Sequence, residues 1–278
     1  MRKLVFAFAL AVPLAALADE ADVHYRQGLT FKQQGKTDEA VQELMQAIKL
    51  RPNYAAAEYS LGLTFKMRHQ FDLAAEHLQN AARLEPKTAD IHASLGTVYY
   101  QLDKLDDAAR ELEDAVKLNP NDHMAQSSLG VIYRQKKDFA KAIPHLEAAV
   151  MLEPKDADSL SNLGVAYRQT GKMDEAEKYF KKALELKPDR AETHFNLGTV
   201  YRRQQKVKEA IGELEQAVKL DPQLAAAHHD LGVLYKNEKR SDDAIREWNL
   251  YLDLMAMKDP KEADIIRNHV RELGGKPH

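Results

Sequence analysis

The sequence predicts an all-α chain of seven stacked helical hairpins, and three regularities carry that expectation. A glycine recurs at Gly28, Gly62, Gly96, Gly130, Gly164, Gly198 and Gly232, each 34 residues after the last without an insertion. Leu61, Leu95, Leu129, Leu163, Leu197 and Leu231 precede it, and an aromatic follows three places later: Phe31, Phe65, Tyr99, Tyr133, Tyr167, Tyr201 or Tyr235. Alanines return twelve and nineteen residues after the glycine, as Ala40 and Ala47 do in the first unit, and Pro52, Pro86, Pro120, Pro154, Pro188 and Pro222 close six units.

The chain opens with MRKLVFAFALAVPLAALA, in which Arg2 and Lys3 lead an apolar run ending in small residues. That is the layout of a secretory signal peptide over 1–18, with cleavage expected after Ala18. The run is shorter than the ~20 apolar residues of a spanning helix, and Pro13 interrupts it. We therefore expect an exported mature chain from Asp19, in the periplasm or beyond it, with no stable membrane insertion. The formal charge of the whole chain is −3, and loss of Arg2 and Lys3 makes it −5. Neither value supplies the basic field that holds nucleic acid by its phosphates. The absence of cysteine excludes disulfides, thiolate metal sites and cysteine nucleophiles.

Seven units follow, 21–54, 55–88, 89–122, 123–156, 157–190, 191–224 and 225–258. In each, the leucine and the aromatic stand four apart on one face of a first helix, and the two alanines stand seven apart on one face of a second. Glycine and alanine remove bulk where paired helices approach. Proline ends the second helix, because it lacks an N–H and disfavours helix in the residue before it. Asp189-Arg190-Ala191-Glu192 has the form of a capping box, with Asp189 at the cap. The segment 259–278 reads as an end helix: Asp259 as N-cap, Pro260 in the first turn, Gly274 at the C-terminal end, and an apolar stripe of Ala263, Ile266, Val270 and Leu273. Tyr251, where other units carry alanine, is expected to face this helix.

With Leu-Gly-x2-aromatic, then Ala, Ala and Pro over 34 residues, the chain resembles tetratricopeptide repeat (TPR) proteins across 21–258. The family's tryptophan position departs, holding His24, Glu58, His92, Gln126, Leu160, His194 and His228. The resemblance implies a right-handed superhelix, an α-solenoid with a concave binding surface. It also implies which first-helix positions line that surface: 2, 5, 9, 12 and 13, counted from the residue seven before each glycine. Position 2 then supplies Asp22, Asp90, Asp158 and Glu192; position 5 supplies Tyr25, Tyr59, Ser161, Phe195 and His229; position 9 is mostly apolar. Position 12 supplies Lys32, Lys66, Tyr100, Arg134, Arg168, Arg202 and Lys236, a basic column broken by one tyrosine. The carboxylate clamp of chaperone-binding members is missing: Asn162 and Asn196 match one of its asparagines, but position 5 is never Lys and position 9 never Asn.

No nucleophile elbow, phosphate loop or zinc-protease motif occurs, so neither catalysis nor a cofactor is expected. The histidines read as structural and not as metal ligands, since equivalent positions of successive units are separated by a helix. The basic column has two readings: a wall for an acidic or extended protein segment, or compensation of helix dipoles. The function expected is a non-enzymatic scaffold that binds a polypeptide segment and serves assembly or regulation of a bacterial envelope complex. A self-associating structural module is the alternative, and a polysaccharide-binding or enzyme-accessory protein a remote one.

Overall fold

The computed structural model describes residues 14–278, with side chains from Asp19 onward. Apart from the backbone of 14–18, the expected leader lies outside the described residues. The described residues form fifteen helices and no strand, and contacts divide the chain into two compact units, Met1–Lys136 and Lys137–His278.

In the first unit, α1 (Leu14–Gln33) pairs with α2 (Thr37–Leu50), α3 (Ala55–Met67) with α4 (Phe71–Leu84), and α5 (Ala89–Gln101) with α6 (Leu105–Leu118), while α7 (His123–Gln135) lies on α6. In the second, α8 (Phe139–Leu152) lies against α9 (Ala157–Gln169), which pairs with α10 (Met173–Leu186). There α11 (Ala191–Arg203) pairs with α12 (Val207–Leu220) and α13 (Ala225–Asn237) with α14 (Ser241–Met255); α15 (Pro260–Glu272) covers α14. Every helix packs on near neighbours in sequence, as in a one-dimensional repeat protein. The predicted stripes form the core, with Leu61, Leu95, Leu129, Leu163, Leu197 and Leu231 all buried.

The periodic glycine marks where each first helix meets the second. A Cβ on Gly62 would sit 2.7 Å from Leu78 Cγ, and one on Gly232 would sit 2.3 Å from Trp248 Nε1. Trp248 therefore occupies the slot that leucine fills in α4, and it is fully buried. Between the helices of a hairpin the chain turns through a left-handed residue. This is Gly35 or Gly171 in two hairpins, but His69, Asp103, Gln205 and Lys239 hold φ between 56° and 61° elsewhere.

Helix starts correct one expectation. Asp122 and Asp156 cap α7 and α9, accepting from Ala125 N at 3.1 Å and Ser159 N at 3.1 Å. Helix α11 begins at Ala191 with Arg190 at its cap and no side-chain cap bond, so Asp189 forms no box. The capping place is the last residue of a unit, one beyond Asp189. Arg190 instead donates to Asp158 at 2.8 Å. At the far end Asp259 caps α15 through Glu262 N at 3.2 Å, and Gly274 has φ +82° just beyond it, as expected. Ala263, Ile266 and Val270 are buried there.

Histidine in the tryptophan slot has a constant task. His92 Nδ1 lies 2.8 Å from Glu111 and its Nε2 3.0 Å from the Pro86 carbonyl. His194 repeats this with Glu213 at 2.6 Å and Pro188 at 2.9 Å, and His228 with Glu247 at 2.7 Å and Pro222 at 3.1 Å. Gln126 donates to the Pro120 carbonyl at 3.0 Å, and Glu58 and His77 exchange roles at 2.6 Å. Each clasp joins the two helices of a hairpin, and where the carbonyl bond forms it also ties in the proline of the hairpin before. Tyrosine makes a second link: Tyr133 donates to Glu113, Tyr167 to Glu147 and Tyr235 to Glu215, always on the preceding hairpin.

Two outcomes follow from these features. Lys239→Gly relieves a left-handed non-glycine residue and should raise stability by roughly 0.5–1 kcal/mol in urea unfolding. Both neighbours of the His194 ring only accept, so the ring must donate from both nitrogens and carry charge. The Glu213 carboxylate, against burial and with the Pro188 carbonyl, raises its pKa above the ordinary value. A raised histidine stabilises fully below its unfolded pKa of ~6.5, and that contribution is lost as pH climbs through the folded value. His194→Gln keeps a donor for the carbonyl, as Gln126 does. The melting temperature of the parent chain should therefore fall more steeply above pH 6.5 than that of H194Q; parallel curves would exclude a charged clasp.

Candidate functional site

The predicted surface residues belong to the first helices of the hairpins. In the first unit, Tyr25 of α1 stacks obliquely on Tyr54, ring centres 5.0 Å apart. Tyr54 Oη donates to Asp22 at 2.6 Å, and Arg51 bonds the same carboxylate at 3.0 Å while lying over the Tyr54 ring. Arg51, together with Tyr54, holds Asp22 below the usual carboxylate range. Burial, reinforced by Asp22, pushes the Tyr54 phenol up to about 12. The acid predicted for one wall is thus engaged within its own hairpin. Tyr59 reaches Ser94 at 3.2 Å, and Lys66 donates to Thr97 at 2.9 Å, one hairpin onward in both cases. Burial lowers the pKa of the Lys32 and Lys66 ammonium groups.

Tyr100, which interrupts the basic column, lines a cavity of about 130 Å³ with Leu112, Met124 and Val131. Its walls come from α5, α6 and α7. Arg134, further along α7, is half-buried, and its Nε has no hydrogen-bond partner.

In the second unit Arg168 is half-buried on α9, and Asp158 of the same helix is held by Lys187 at 3.0 Å and by Arg190. Arg202 lies 3.4 Å from Asp230, a carboxylate only 8% exposed. Lys236 reaches the end helix, 3.0 Å from His269 and 3.3 Å from Glu272. Phe195 is half-buried at the mouth of an open cavity of about 420 Å³, walled by Ala226, His229, Tyr251 and Met255 and rimmed by Asp259 and Glu262. His229 Nε2 stands 3.6 Å from Glu262, and its ring meets Tyr251 edge-on at 5.4 Å.

The position-12 side chains therefore divide. Lys66 and Arg202 bridge to the first helix of the next hairpin and Lys236 to the end helix, while Tyr100 opens onto an apolar hollow. The aromatic residues also divide: Tyr25 and Tyr59 have partners within the chain, and Phe195 faces a cavity. Met124, Tyr251 and Met255 line these hollows and were not among the predicted surface residues. Tyr251 carried a signal, being a large residue in an alanine column; Met124 stood in the column read as acidic.

Comparison with known proteins agrees with this architecture. Residues 7–232 match the family described as Cilia and flagella-associated protein 70 C-terminal domain. Among solved structures, YrrB, described as a TPR protein with an unusual peptide-binding site, is 21% identical with a TM-score of 0.62, over 67% of this chain and 96% of its own. MamA is 28% identical with a TM-score of 0.58, covering 63% of this chain and 95% of its own. PilF of Pseudomonas aeruginosa is 18% identical with a TM-score of 0.63, over 81% and 99% of the two chains. The YrrB and PilF likenesses establish the fold. No curated protein matches the chain.

If Arg202 serves chiefly to neutralise Asp230, Arg202→Ala should lower stability by about 1 kcal/mol or less, because the arginine is partly exposed. Asp230→Asn should recover most of that loss in the double variant. Additive losses in urea unfolding would show that the two side chains act independently.

Proposed function

The chain belongs to the tetratricopeptide-repeat family described as Cilia and flagella-associated protein 70 C-terminal domain, and from that premise we propose that it is an exported, non-enzymatic scaffold that binds a polypeptide segment. The observation that carries this reading is a pair of hollows lined by first-helix residues, an apolar one at Tyr100 and Met124 and one with aromatic walls and an acidic rim at Phe195 and Tyr251. Each is large enough for one or a few side chains of an extended segment, and aromatic walls suit such anchors. Peptide binding is also what YrrB is described as doing.

Lys66, Arg202 and Lys236 are among the position-12 cations with partners inside the chain, so recognition rests on apolar anchoring more than on an acidic ligand. Arg134, whose Nε has no hydrogen-bond partner, is placed to orient carbonyl groups of the bound segment. Export rests on the charged, apolar and small-residue order of 1–18, and a role in assembling or regulating an envelope complex follows from that destination.

The test is affinity capture by immobilised 19–278 from a bacterial envelope extract. Two folded variants run beside it, Tyr100→Ala with Phe195→Ala, and Arg134→Ala with Arg168→Ala and Arg202→Ala. A protein retained by the parent and lost by the aromatic pair is the expected result. Equal retention by all three, or none by the parent, would overturn the assignment.

A further inference from the structure

The third hairpin departs from the other clasps in one respect. His92 of α5 with Glu111 and Asp114 of α6 place three potential ligand atoms within 4.8 Å of one another. The place three residues beyond the second-helix partner is a carboxylate here alone among the histidine–glutamate clasps: it is Gln46 beside His24 and Glu43, themselves 2.6 Å apart, and Asn80, Gln216 and Leu250 in the His77, His194 and His228 clasps. The site lies within one hairpin, so the separation of equivalent histidines in successive units has no bearing on it.

The ring is already oriented. His92 is 8% exposed, and its Nε2 is fixed 3.0 Å from the Pro86 carbonyl, which leaves Nδ1 directed at Glu111. A histidine that donates one N–H to a backbone carbonyl has its other nitrogen set for a metal. Arg110 is the nearest cation on α6. It bonds Asp107 at 2.7 Å and lies 4.0 Å from Glu111 Oε1, so Oε2 keeps its place beside the ring. Asp114 is exposed and free to swing. Ligand bonds of about 2.0–2.2 Å in a tetrahedral site set donors roughly 3.3–3.6 Å apart, and a turn of the exposed Asp114 side chain is enough to bring atoms that lie within 4.8 Å of one another to that spacing.

We propose that His92, Glu111 and Asp114 bind one zinc ion, with solvent completing the coordination. One imidazole with two carboxylates, and no thiolate, is a set of ligands that zinc accepts. The ion replaces the proton that His92 and Glu111 share, so the same atoms form either a hydrogen-bonded clasp or a metal clasp. Bound metal then joins α5 to α6 more firmly than the proton does.

Untagged 19–278, stripped with a chelator, is titrated with Zn²⁺ against a chromophoric competitor, alongside Asp114→Asn, His92→Gln and His194→Gln. His92→Gln retains a donor for the Pro86 carbonyl, and circular dichroism verifies that every variant is folded. One equivalent of zinc bound by the parent and by H194Q, and lost in D114N and H92Q, is the expected result. Absence of zinc binding by the parent, or undiminished binding by D114N, would overturn the site.

Discussion

Each hairpin depends on the contact between a glycine of its first helix and the large side chain that presses on it from the second. At Gly62 there is room for Leu78 only because no Cβ stands between them. That approach sets the spacing of the pair and leaves the outer apolar faces uncovered. Neither helix can bury those faces alone, so the next hairpin must arrive at the same height and rotation, and a strict 34-residue period is how the sequence secures it. Variation is tolerated in the pressing residue, from leucine to Phe180 to Trp248, because the glycine has already cleared the space.

Polar chemistry then fixes the order of stacking. The clasps at the tryptophan slot and the tyrosine bonds to the preceding hairpin are geometrically specific where the leucine contacts are not. Glu177 shows how firmly such a link can hold: against burial, Lys181 at 2.6 Å and Lys206 at 2.8 Å, together with Gln204, keep its pKa at about 2. Lys206 lies in the turn that leads into α12, so the carboxylate of one hairpin anchors the bend of the next. Many charged side chains of the first helices are consequently engaged within the scaffold itself.

The fold was legible because its signal is redundant: the same glycine, leucine, aromatic and alanine recur in unit after unit. The polar links within and between hairpins were not, because they join residues 19, 20 or about 30 positions apart, which no local pattern brings together. His194 could be recognised as occupying the tryptophan place, but its partners, Glu213 and Pro188, become visible only when the helices are paired. Asp189 misled for a different reason. Acid-x-x-Glu fitted a capping box, yet α11 begins at Ala191, which puts Arg190 and not Asp189 at the cap. Of the predicted surface residues, Phe195 and Tyr100 could be placed in their columns, but the walls opposite them, Tyr251 and Met124, lie outside the aromatic and basic columns.

The end helix has a meaning for how the molecule ends. Its inner stripe satisfies the last apolar face of α14, while Lys261, Asp264, Asn268, Arg271 and Glu272 point away from the core. A hairpin from another copy, arriving at that face, would meet mainly charge and amide, with Ile265 as an isolated apolar side chain, where it needs leucine and alanine. Helix α15 therefore closes the stack on that side, covering an apolar face on which a further hairpin could otherwise have been laid.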